Sequence, residues 1–353
     1  MKMSFEETVE INEIIQDHRK LLDWSALKNK TTANTTEFVL PIDMVFNDGH
    51  VLSITVYSIL MTASALGNIT LLYLLLRDRT RCASRIDIML INLCIADLLV
   101  TFLMMPTEIA WSWTVIWVAG DLMCRIMAFF RTFGLYLSSA VLVCISIDRY
   151  YAVLKPFKIS ETRGRGMLTI AWISSTVHSV PQAFIFHVES HPKVKWFEQC
   201  VTFHSFPDEI YNVLYSVMCM LVMYAIPLVV ITFCYASIYI EIYKKSKNLS
   251  YKTELFRRSN DDVLCKAKQR TLRMTVTIVI VFVVCWTPYY VMSIWYWLDR
   301  ESAMLIDQKI QKGLFLFAST NSCMNPLVYG IFNIRSNKRE RTVSFRNTFR
   351  QRQ

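Results

Sequence analysis

Seven long apolar runs divide the chain, and they are its dominant pattern. Five of them contain no Asp, Glu, Lys or Arg, and two carry a few charges; in chain order the seven are 51–76, 88–110, 122–153, 166–188, 210–240, 274–298 and 313–334. About 20 residues of α-helix cross a bilayer core roughly 30 Å thick, so each run is long enough to span a membrane. None alternates apolar and polar residues as barrel strands do. The pattern predicts an all-α membrane protein whose residues 51–332 form a bundle of seven transmembrane helices.

The composition supports this prediction. Of the 353 residues, 54% are hydrophobic and only 19% are charged, and the mean hydropathy is +0.32. A soluble chain is nearer one quarter charged, and a disordered chain has far less apolar content. No apolar run before residue 50 is long enough for a signal peptide, so we expect the first helix to act as its own insertion signal.

The net charge of +10 is distributed unevenly between the two sides of the bundle. The segments 77–87, 154–165, 241–273 and 333–353 together hold 25 Lys and Arg against 8 Asp and Glu. Basic segments remain in the cytoplasm, so the N terminus is predicted outside and the C terminus inside a plasma membrane. We therefore expect an extracellular tail over 1–50, a third cytoplasmic loop with helix ends over 241–273, and a short basic tail over 333–353. The basic charge reflects topology and contact with anionic lipid, and does not indicate nucleic-acid binding.

Two features of the outer side agree with this orientation. The tail carries N-glycosylation sequons at Asn29 and Asn34. Among ten cysteines, only Cys124 and Cys200 lie near the oxidising face. A disulfide between them would hold the loop after the fourth helix over the mouth of the bundle.

Asp97 lies within the second apolar run, where an ionisable side chain is a functional candidate because it costs roughly 2.5–3.5 kcal/mol to insert. Ser138, Asn321 and Asn325 on other runs could line a small polar cavity with it. Such oxygen ligands suit either a hydrated Na⁺ ion, which would be allosteric, or a water-filled network without an ion. Both interpretations stand at this point.

The inner half of the bundle contains three polar or bent motifs. Asp148-Arg149-Tyr150 ends the third run, and by position alone it is an interfacial charge cluster. Pro288 follows Cys285-Trp286-Thr287, and Pro326 follows Asn325. Each proline removes a helix hydrogen bond and permits a bend, and Asn325 could satisfy the carbonyl that Pro326 leaves free. Together the two prolines suggest helices that swing.

The outer half of the bundle has the pattern of a binding site. Arg131 lies about five turns outward of Arg149 on the same helix, and Glu108 lies eleven residues beyond Asp97, so the two reach similar depths. They are expected to pair structurally, to contact polar groups of a ligand, or both. A pocket with many aromatic residues and few charges suits a short peptide with blocked ends and aromatic side chains. The candidate ligand-binding residues are Glu108, Arg131, Trp286, Tyr289, Tyr290, Ser293, Tyr296 and Phe315.

In order and spacing, these motifs resemble those of the rhodopsin-like G-protein-coupled receptors. The resemblance covers residues 51–335 and rests on Gly67-Asn68, the Leu93–Asp97 stretch, Asp148-Arg149-Tyr150, Trp172, Pro227 with Tyr235, Cys285-Trp286-Thr287-Pro288 and Asn325-Pro326 with Tyr329. It implies that Asp97 is a sodium site, that Trp286 reports ligand, and that Arg149, Tyr235 and Tyr329 line a cavity for a heterotrimeric G protein. Many relatives hold the arginine with an acidic residue on the sixth helix, but the matching position here is Lys268, which leaves Asp148 as the nearest partner.

A narrower resemblance is carried by the segment from Phe130 to Ser139, by Met105-Pro106-Thr107-Glu108 and by Pro288-Tyr289-Tyr290. These segments are similar to the gonadotropin-releasing-hormone receptor superfamily and in particular to its insect-type adipokinetic hormone receptors. The resemblance implies a receptor for a short neuropeptide hormone that activates Gq, Gs or both. Receptors for corazonin and for the hybrid adipokinetic/corazonin-related peptide are the alternatives.

Three further expectations complete the functional prediction. The short basic tail has few Ser and Thr residues, which predicts weak capture by arrestin. Outside the receptor class, a transporter would show an inverted repeat or a polar path across the whole bilayer, and neither is found. Enzyme motifs are also missing from the spans, so the chain is not expected to be an enzyme.

Overall fold

The computed structural model describes residues 44–79, 85–155, 161–192, 194–252, 259–299, 302–303 and 308–332. The sequons at Asn29 and Asn34 and the C-terminal tail 333–353 lie outside these residues. Within helices, the side chains of 78–79, 161, 245–252, 259–271, 308–309 and 311 are likewise not described, and this includes Lys268.

The described residues form seven helical spans and one hairpin. Span one is Asp48–Arg79. Span two is Arg85–Leu99, continued by Val100–Met104 and Met105–Thr114. Span three is Gly120–Leu154, and span four is Glu161–Ile185. The hairpin has strands β1 (His187–His191) and β2 (Val194–Val201). Spans five to seven are Glu209–Met220 continued by Leu221–Ala225 and Ile226–Lys252, then Ser259–Leu298, then Gln308–Ser319 followed by helix over 321–332. The predicted bundle is confirmed, and most of the expected third cytoplasmic loop is helical.

Spans one, two, three, five and six are, among the described residues, the helices long and apolar enough to cross a membrane by length and composition alone. In span three, 67% of the most apolar window is buried within the bundle, against 22% in span one. Span three therefore lies at the centre of the bundle, and the sides of the outer helices are left for lipid.

Two spans contain a π-helical turn just before a proline. Val100–Met104 precedes Pro106, and Leu221–Ala225 precedes Pro227. Proline cannot donate to the carbonyl four residues earlier. For Pro227 that carbonyl belongs to Met223, and Ser139 Oγ on span three donates to it at 2.7 Å. A side chain of the central span thus replaces the hydrogen bond that the proline removes, and the π-turn of span five is tied to span three.

Span seven shows the same compensation, but through a different residue than the sequence suggested. The carbonyl left free by Pro326 belongs to Ser322, and it accepts hydrogen bonds from Asn68 Nδ2 at 2.9 Å and Ser64 Oγ at 3.3 Å. The expectation that Asn325 satisfies it is therefore wrong, because the Asn325 amide is turned inward to Asp97. Span one supplies the compensating donors.

The hairpin covers the outer end of span three and is anchored at several points. The predicted disulfide between Cys124 and Cys200 is present, with a Cα–Cα distance of 5.6 Å. Asp121 Oδ1 accepts a hydrogen bond from the Val188 backbone N–H at 2.9 Å. Gln199 accepts from Trp111 Nε1 at 2.7 Å and donates to the Val115 carbonyl at 2.6 Å. These contacts fix the hairpin to the loop between spans two and three.

Candidate functional site

Glu108 and Arg131 form an ion pair at the outer end of the bundle. The distance from Arg131 Nη2 to Glu108 Oε1 is 3.0 Å, and the side chains are 32% and 16% exposed. Glu108 lies in the helical segment after the π-turn of span two, and Arg131 lies on span three. The predicted pair is therefore present, and because only one guanidinium nitrogen is used in it, Arg131 has further donors for a hydrogen-bonding partner in the cavity that it lines.

Aromatic rings surround this pair on its inner side. The Arg131 guanidinium lies 5.0 Å from the centre of the Phe315 ring, close enough for a cation–π contact. Phe315 in turn packs on Tyr289 with ring centres 5.5 Å apart, and Tyr290 stacks on Tyr224 at 4.8 Å. Spans three, five, six and seven thus meet through one aromatic cluster.

A cavity of about 470 Å³ opens between these spans, a size typical of a ligand pocket. Six of the eight predicted ligand-binding residues line it: Arg131, Tyr289, Tyr290, Ser293, Tyr296 and Phe315. Glu108 instead lines a smaller neighbouring cavity that it shares with Arg131. Trp286 is 3% exposed and packs against Tyr289 and Tyr290 below the cavity. It can therefore respond to a ligand through the two tyrosine rings.

The opposite wall of the cavity was missed by the sequence analysis. It is built from span four, span five and the segments flanking the hairpin, and its polar members are Gln182, Thr202, Asn212, Tyr215 and Ser216. Gln182 Nε2 donates to the Tyr215 hydroxyl at 2.7 Å. In span four only His178 and Gln182 hinted at this wall, because the other residues of its apolar run resemble those of any lipid-facing helix.

Asp97 lies midway across the bundle and is fully buried. Ser138 Oγ donates to one carboxylate oxygen at 3.2 Å, and Asn325 Nδ2 donates to the other at 2.7 Å. The Oδ1 atoms of Asn68, Asn321 and Asn325 are buried without a hydrogen-bond partner. Asn321 therefore contributes an unpaired oxygen near this level of span seven, and the structure shows no hydrogen bond from it to Asp97. A buried carboxylate and buried, unpaired amide oxygens are ligands of the kind that suit a small hard cation or water.

The inner end of span three carries a second ion cluster. Asp148 is 3% exposed and forms an ion pair with its neighbour Arg149, as the sequence suggested. Arg85, at the start of span two, also approaches the carboxylate, with Nη1 lying 3.5 Å from Asp148 Oδ1. Arg85 was not among the residues predicted from the sequence, where it looks like an ordinary interfacial cation.

The remaining predicted signalling residues are distributed over spans three, five, six and seven. Tyr150 packs against Tyr151 and Phe233, with ring centres 5.4 and 6.0 Å apart. The Tyr235 hydroxyl on span five is buried without a hydrogen-bond partner, and Tyr329 packs against the core near the end of span seven. Pro288 lies within span six.

Histidines on the hairpin do not form a metal site. His187 and His204 both approach the carboxylate of Glu189, at 3.5 and 2.9 Å. Among the described residues, no group of three or more His, Cys, Asp and Glu side chains is placed to hold a metal ion. These histidines act as polar contacts of the hairpin.

The seven spans, the outer cavity and the ion clusters on span three define a membrane receptor. The sequence matches the family described as "7 transmembrane receptor (rhodopsin family)" over residues 67–329. The chain belongs to this family of class A G-protein-coupled receptors, which are multi-pass proteins of the plasma membrane. Because this is a family of receptors, the prediction that the chain is not an enzyme is confirmed, and the transporter alternative is set aside.

Among curated proteins, the chain is similar to receptors for gonadotropin-releasing hormone. It is 36% identical over 279 residues to the gonadotropin-releasing hormone II receptor of Clarias gariepinus, covering 78% of this chain and 73% of the relative. It is 34% identical to the gonadotropin-releasing hormone receptor of Sus scrofa and 33% identical to that of Homo sapiens. Each of these two matches spans 264 residues, 73% of this chain and 80% of the relative. The predicted superfamily is thus confirmed, and the narrower resemblance to adipokinetic hormone receptors stays a prediction.

Proposed function

We propose that this protein is the receptor for a short neuropeptide hormone of the adipokinetic hormone type, and that the bound peptide switches it to a state that activates Gq, Gs or both. The observation that carries the proposal is the outer cavity, in which one cation, Arg131, faces several aromatic rings. The similar proteins are named as receptors for a peptide hormone, which supports a peptide ligand.

The charge of the cavity favours a blocked peptide over an amine. Arg131 would repel a cationic amine, whereas its guanidinium can donate hydrogen bonds to the carbonyl oxygens of a peptide. Glu108 holds the guanidinium at 3.0 Å through one nitrogen, and the Arg131 side chain is partly exposed. The aromatic rings offer contact area for apolar and aromatic side chains of the hormone. We therefore expect a small peptide with blocked ends, aromatic residues and little net charge.

Activation requires the peptide to bind the active arrangement more tightly than the resting one, because only differential affinity shifts a population. The ligand would act on Trp286 through Tyr289 and Tyr290, which contact its ring. Pro288 lies two residues further along span six, where it permits the inner part of the helix to swing outward. A G-protein helix would then enter a groove formed by Arg149, Tyr235 and Tyr329.

Several further assignments accompany this proposal. The N terminus lies outside and the C terminus inside, with glycans on Asn29 and Asn34 and anionic lipid against the basic inner segments. Asp97, Ser138, Asn321 and Asn325 hold either Na⁺ or water, and the acceptor-rich oxygen set supports Na⁺ as an allosteric ion. The tail engages arrestin weakly.

The test is to express the chain in cells and record calcium and cyclic AMP separately. Synthetic adipokinetic hormone, corazonin, the hybrid peptide and gonadotropin-releasing hormone are each applied over a full concentration range. The proposal predicts a response to adipokinetic hormone far below the concentrations needed for the other three, and the second messenger identifies the pathway. Arg149→Ala should abolish the response while leaving peptide binding intact. A lower threshold for corazonin, the hybrid peptide or gonadotropin-releasing hormone would replace the hormone assignment. If the receptor is at the cell surface and responds to none of the four peptides, the proposed function is refuted.

A further inference from the structure

The carboxylate of Asp148 is shared between two guanidinium groups. Arg149 pairs with one of its oxygens and Arg85 lies 3.5 Å from the other. Asp148 is 3% exposed on its side chain and Arg149 14%, whereas Arg85 is 23% exposed and lies at the first residue of span two. The cluster therefore contains one buried anion and two cations on different helices, so either cation alone can neutralise the anion.

We propose that Arg85 is a positioning residue for activation, which holds the Asp148 carboxylate when Arg149 turns toward the G-protein groove. This rests on the proposed function, because it concerns the switch that the hormone operates. In the resting arrangement Asp148 binds both guanidiniums. In the active arrangement Arg149 leaves and Arg85 remains, so the buried carboxylate keeps one partner throughout.

The burial of Asp148 is the reason that this second cation matters. Breaking a buried ion pair by removing one partner is strongly unfavourable, since a charge is left without compensation. Without Arg85, the departure of Arg149 would have this consequence for Asp148. With Arg85 in place, the Asp148 carboxylate stays paired with the Arg85 guanidinium after Arg149 has left. Arg85 thus lowers the free energy of the active arrangement relative to the resting one.

Arg149 contacts Asp148 through a single nitrogen, which leaves the rest of its guanidinium available to turn away. Its ion pair to Asp148 uses a terminal nitrogen, and its Nε atom is buried without a hydrogen-bond partner. A bidentate pair would have used more of the guanidinium and been harder to open. On span six, the position at which many relatives carry an acidic lock holds Lys268. We therefore expect the contacts of the two arginines with Asp148 to set a larger part of the free-energy difference between the resting and active arrangements.

The experiment compares Arg85→Gln with Arg163→Gln in the full-length receptor. Arg163 is also a cation near the inner end of span three, but it stacks on the Tyr151 ring at 4.3 Å and does not contact Asp148. Both variants lose one positive charge at the same membrane face, so effects on lipid contact and topology are matched. Three further variants complete the set: Arg85→Lys, Asp148→Asn, and the double variant Asp148→Asn/Arg85→Gln. Surface level and melting temperature are measured for each receptor.

The readouts are ligand-free nucleotide exchange on purified Gq and Gs, potency of synthetic adipokinetic hormone, and hydrogen–deuterium exchange at the inner end of span six. For Arg85→Gln we expect roughly tenfold lower basal exchange per receptor and roughly tenfold weaker hormone potency, because the active arrangement loses a charge-assisted contact. Hydrogen exchange at span six should slow. Arg85→Lys should retain most of the wild-type activity, and Arg163→Gln should behave as wild type. Asp148→Asn should raise basal exchange, and adding Arg85→Gln to it should change nothing further, since the shared anion is gone.

The opposite results would overturn the inference. Higher basal exchange in Arg85→Gln would show that Arg85 restrains the resting state. A lower melting temperature with unchanged exchange per receptor would show a purely structural role. An equal loss in the Asp148→Asn background would show that Arg85 acts elsewhere. If the receptor answers none of the peptides, the hormone assignment fails, while ligand-free nucleotide exchange and hydrogen exchange still decide the role of Arg85.

Discussion

Spans two and three are joined by ionic contacts at both ends, and the two contacts differ in charge balance. At the outer end, one acid and one base, Glu108 and Arg131, face a cavity. At the inner end, one buried acid, Asp148, serves two bases. The outer pair is balanced, so a ligand can bind its exposed edge without separating the charges. The inner cluster has a surplus cation, so one arginine can leave without stranding the acid. The outer contact is thus suited to binding and the inner one to switching.

Between these ends the same two spans are joined by contacts other than ion pairs. Ser138 donates to Asp97, and Gly134 lies against the π-turn that begins at Val100. Spans two and three are therefore tied at four levels. We expect them to form a fixed frame against which spans six and seven move.

The largest effect should come from breaking the disulfide that holds the hairpin over the outer end of span three. Cys124→Ser or Cys200→Ser should lower peptide affinity or surface level by the equivalent of about 2–5 kcal/mol, because the disulfide fixes the hairpin to span three. The two single variants should have equal effects and the double variant should be no worse, which cell-surface labelling and radioligand binding would measure.

Cys144→Ser is the matched control. Cys144 is a free, buried cysteine on the same span, and its thiol contacts the Met167 carbonyl at 3.5 Å, a contact that a serine hydroxyl can keep. Peptide binding by the Cys144→Ser receptor should stay close to that of the wild-type receptor. Losses that add up in the double variant would mean that the two cysteines act independently and that the hairpin is held by other contacts.

The next largest effect should come from Arg131. Arg131→Ala should weaken hormone potency by about 100-fold, equivalent to the loss of one or two charge-assisted hydrogen bonds of about 1.5–3 kcal/mol each. Surface level should change little. Dose–response curves and surface labelling on the same cells would measure both.

Arg125→Ala provides the comparison on the same helix. Arg125 pairs with Asp121 at 2.7 Å and donates a longer hydrogen bond to the Ala183 carbonyl at 3.3 Å, but its side chain is 35% exposed and that of Asp121 50%, and ion pairs so open to solvent contribute about 0–1 kcal/mol. This variant should shift potency by less than about threefold. If Arg131→Ala instead abolished surface expression while Arg125→Ala did not, the outer pair would be a structural contact and its contrast with the inner cluster would disappear.

A smaller effect is expected where spans two and three approach most closely. A Cβ atom added at Gly134 would lie 2.8 Å from Val100 Cγ2 and 3.3 Å from the Val100 backbone nitrogen. Gly134→Ala should therefore lower stability by about 1–3 kcal/mol, as overpacking does. Thermal denaturation of the detergent-solubilised receptor would show it as a lower melting temperature.

The cause can be tested by removing the atom that the new methyl group meets. Val100→Ala should partly rescue Gly134→Ala, so that the double variant is more stable than the sum of the single losses predicts. Gly313→Ala, where nothing lies within 4 Å of the added atom, should be neutral. Independent losses at 100 and 134 would show that the spans are not in tight contact there.

The sequence predicted the depth of residues better than their angular position. Apolar runs located all seven spans, counting turns put Glu108 at the depth of Arg131, and Asn325 was grouped with Asp97; the structure brings both pairs into contact. These predictions succeed because a charge inside a bilayer requires a partner at its own depth. They need only the rise per residue along each helix.

The facing direction of each helix was harder to predict. In a membrane bundle the lipid side and the packed side are both apolar, so hydrophobic periodicity does not distinguish them. For this reason the cavity wall containing Gln182 and Tyr215 was missed, and Asn325 was matched with a carbonyl that Asn68 satisfies. The π-turns also escaped prediction, since they depend on contacts such as that of Ser139 with Met223. Arg85 was missed because many cations lie at the same interface.

The smallest effect should come from the uncharged wall of the outer cavity, opposite Arg131. Gln182 is 7% exposed, and its amide donates to the Tyr215 hydroxyl at 2.7 Å. Gln182→Leu keeps the side chain's approximate size but removes its polar atoms, which leaves Tyr215 without this donor. Because a neutral hydrogen bond contributes about 0.5–1.5 kcal/mol, hormone potency should fall by roughly three- to tenfold, well below the effect of Arg131→Ala. Tyr215→Phe should give a loss of similar size, and the double variant should lose no more than either one. Dose–response curves for the three variants would decide whether this wall contacts the hormone through the Gln182–Tyr215 pair. Unchanged potency in all three would confine recognition to the side of the cavity that carries Arg131.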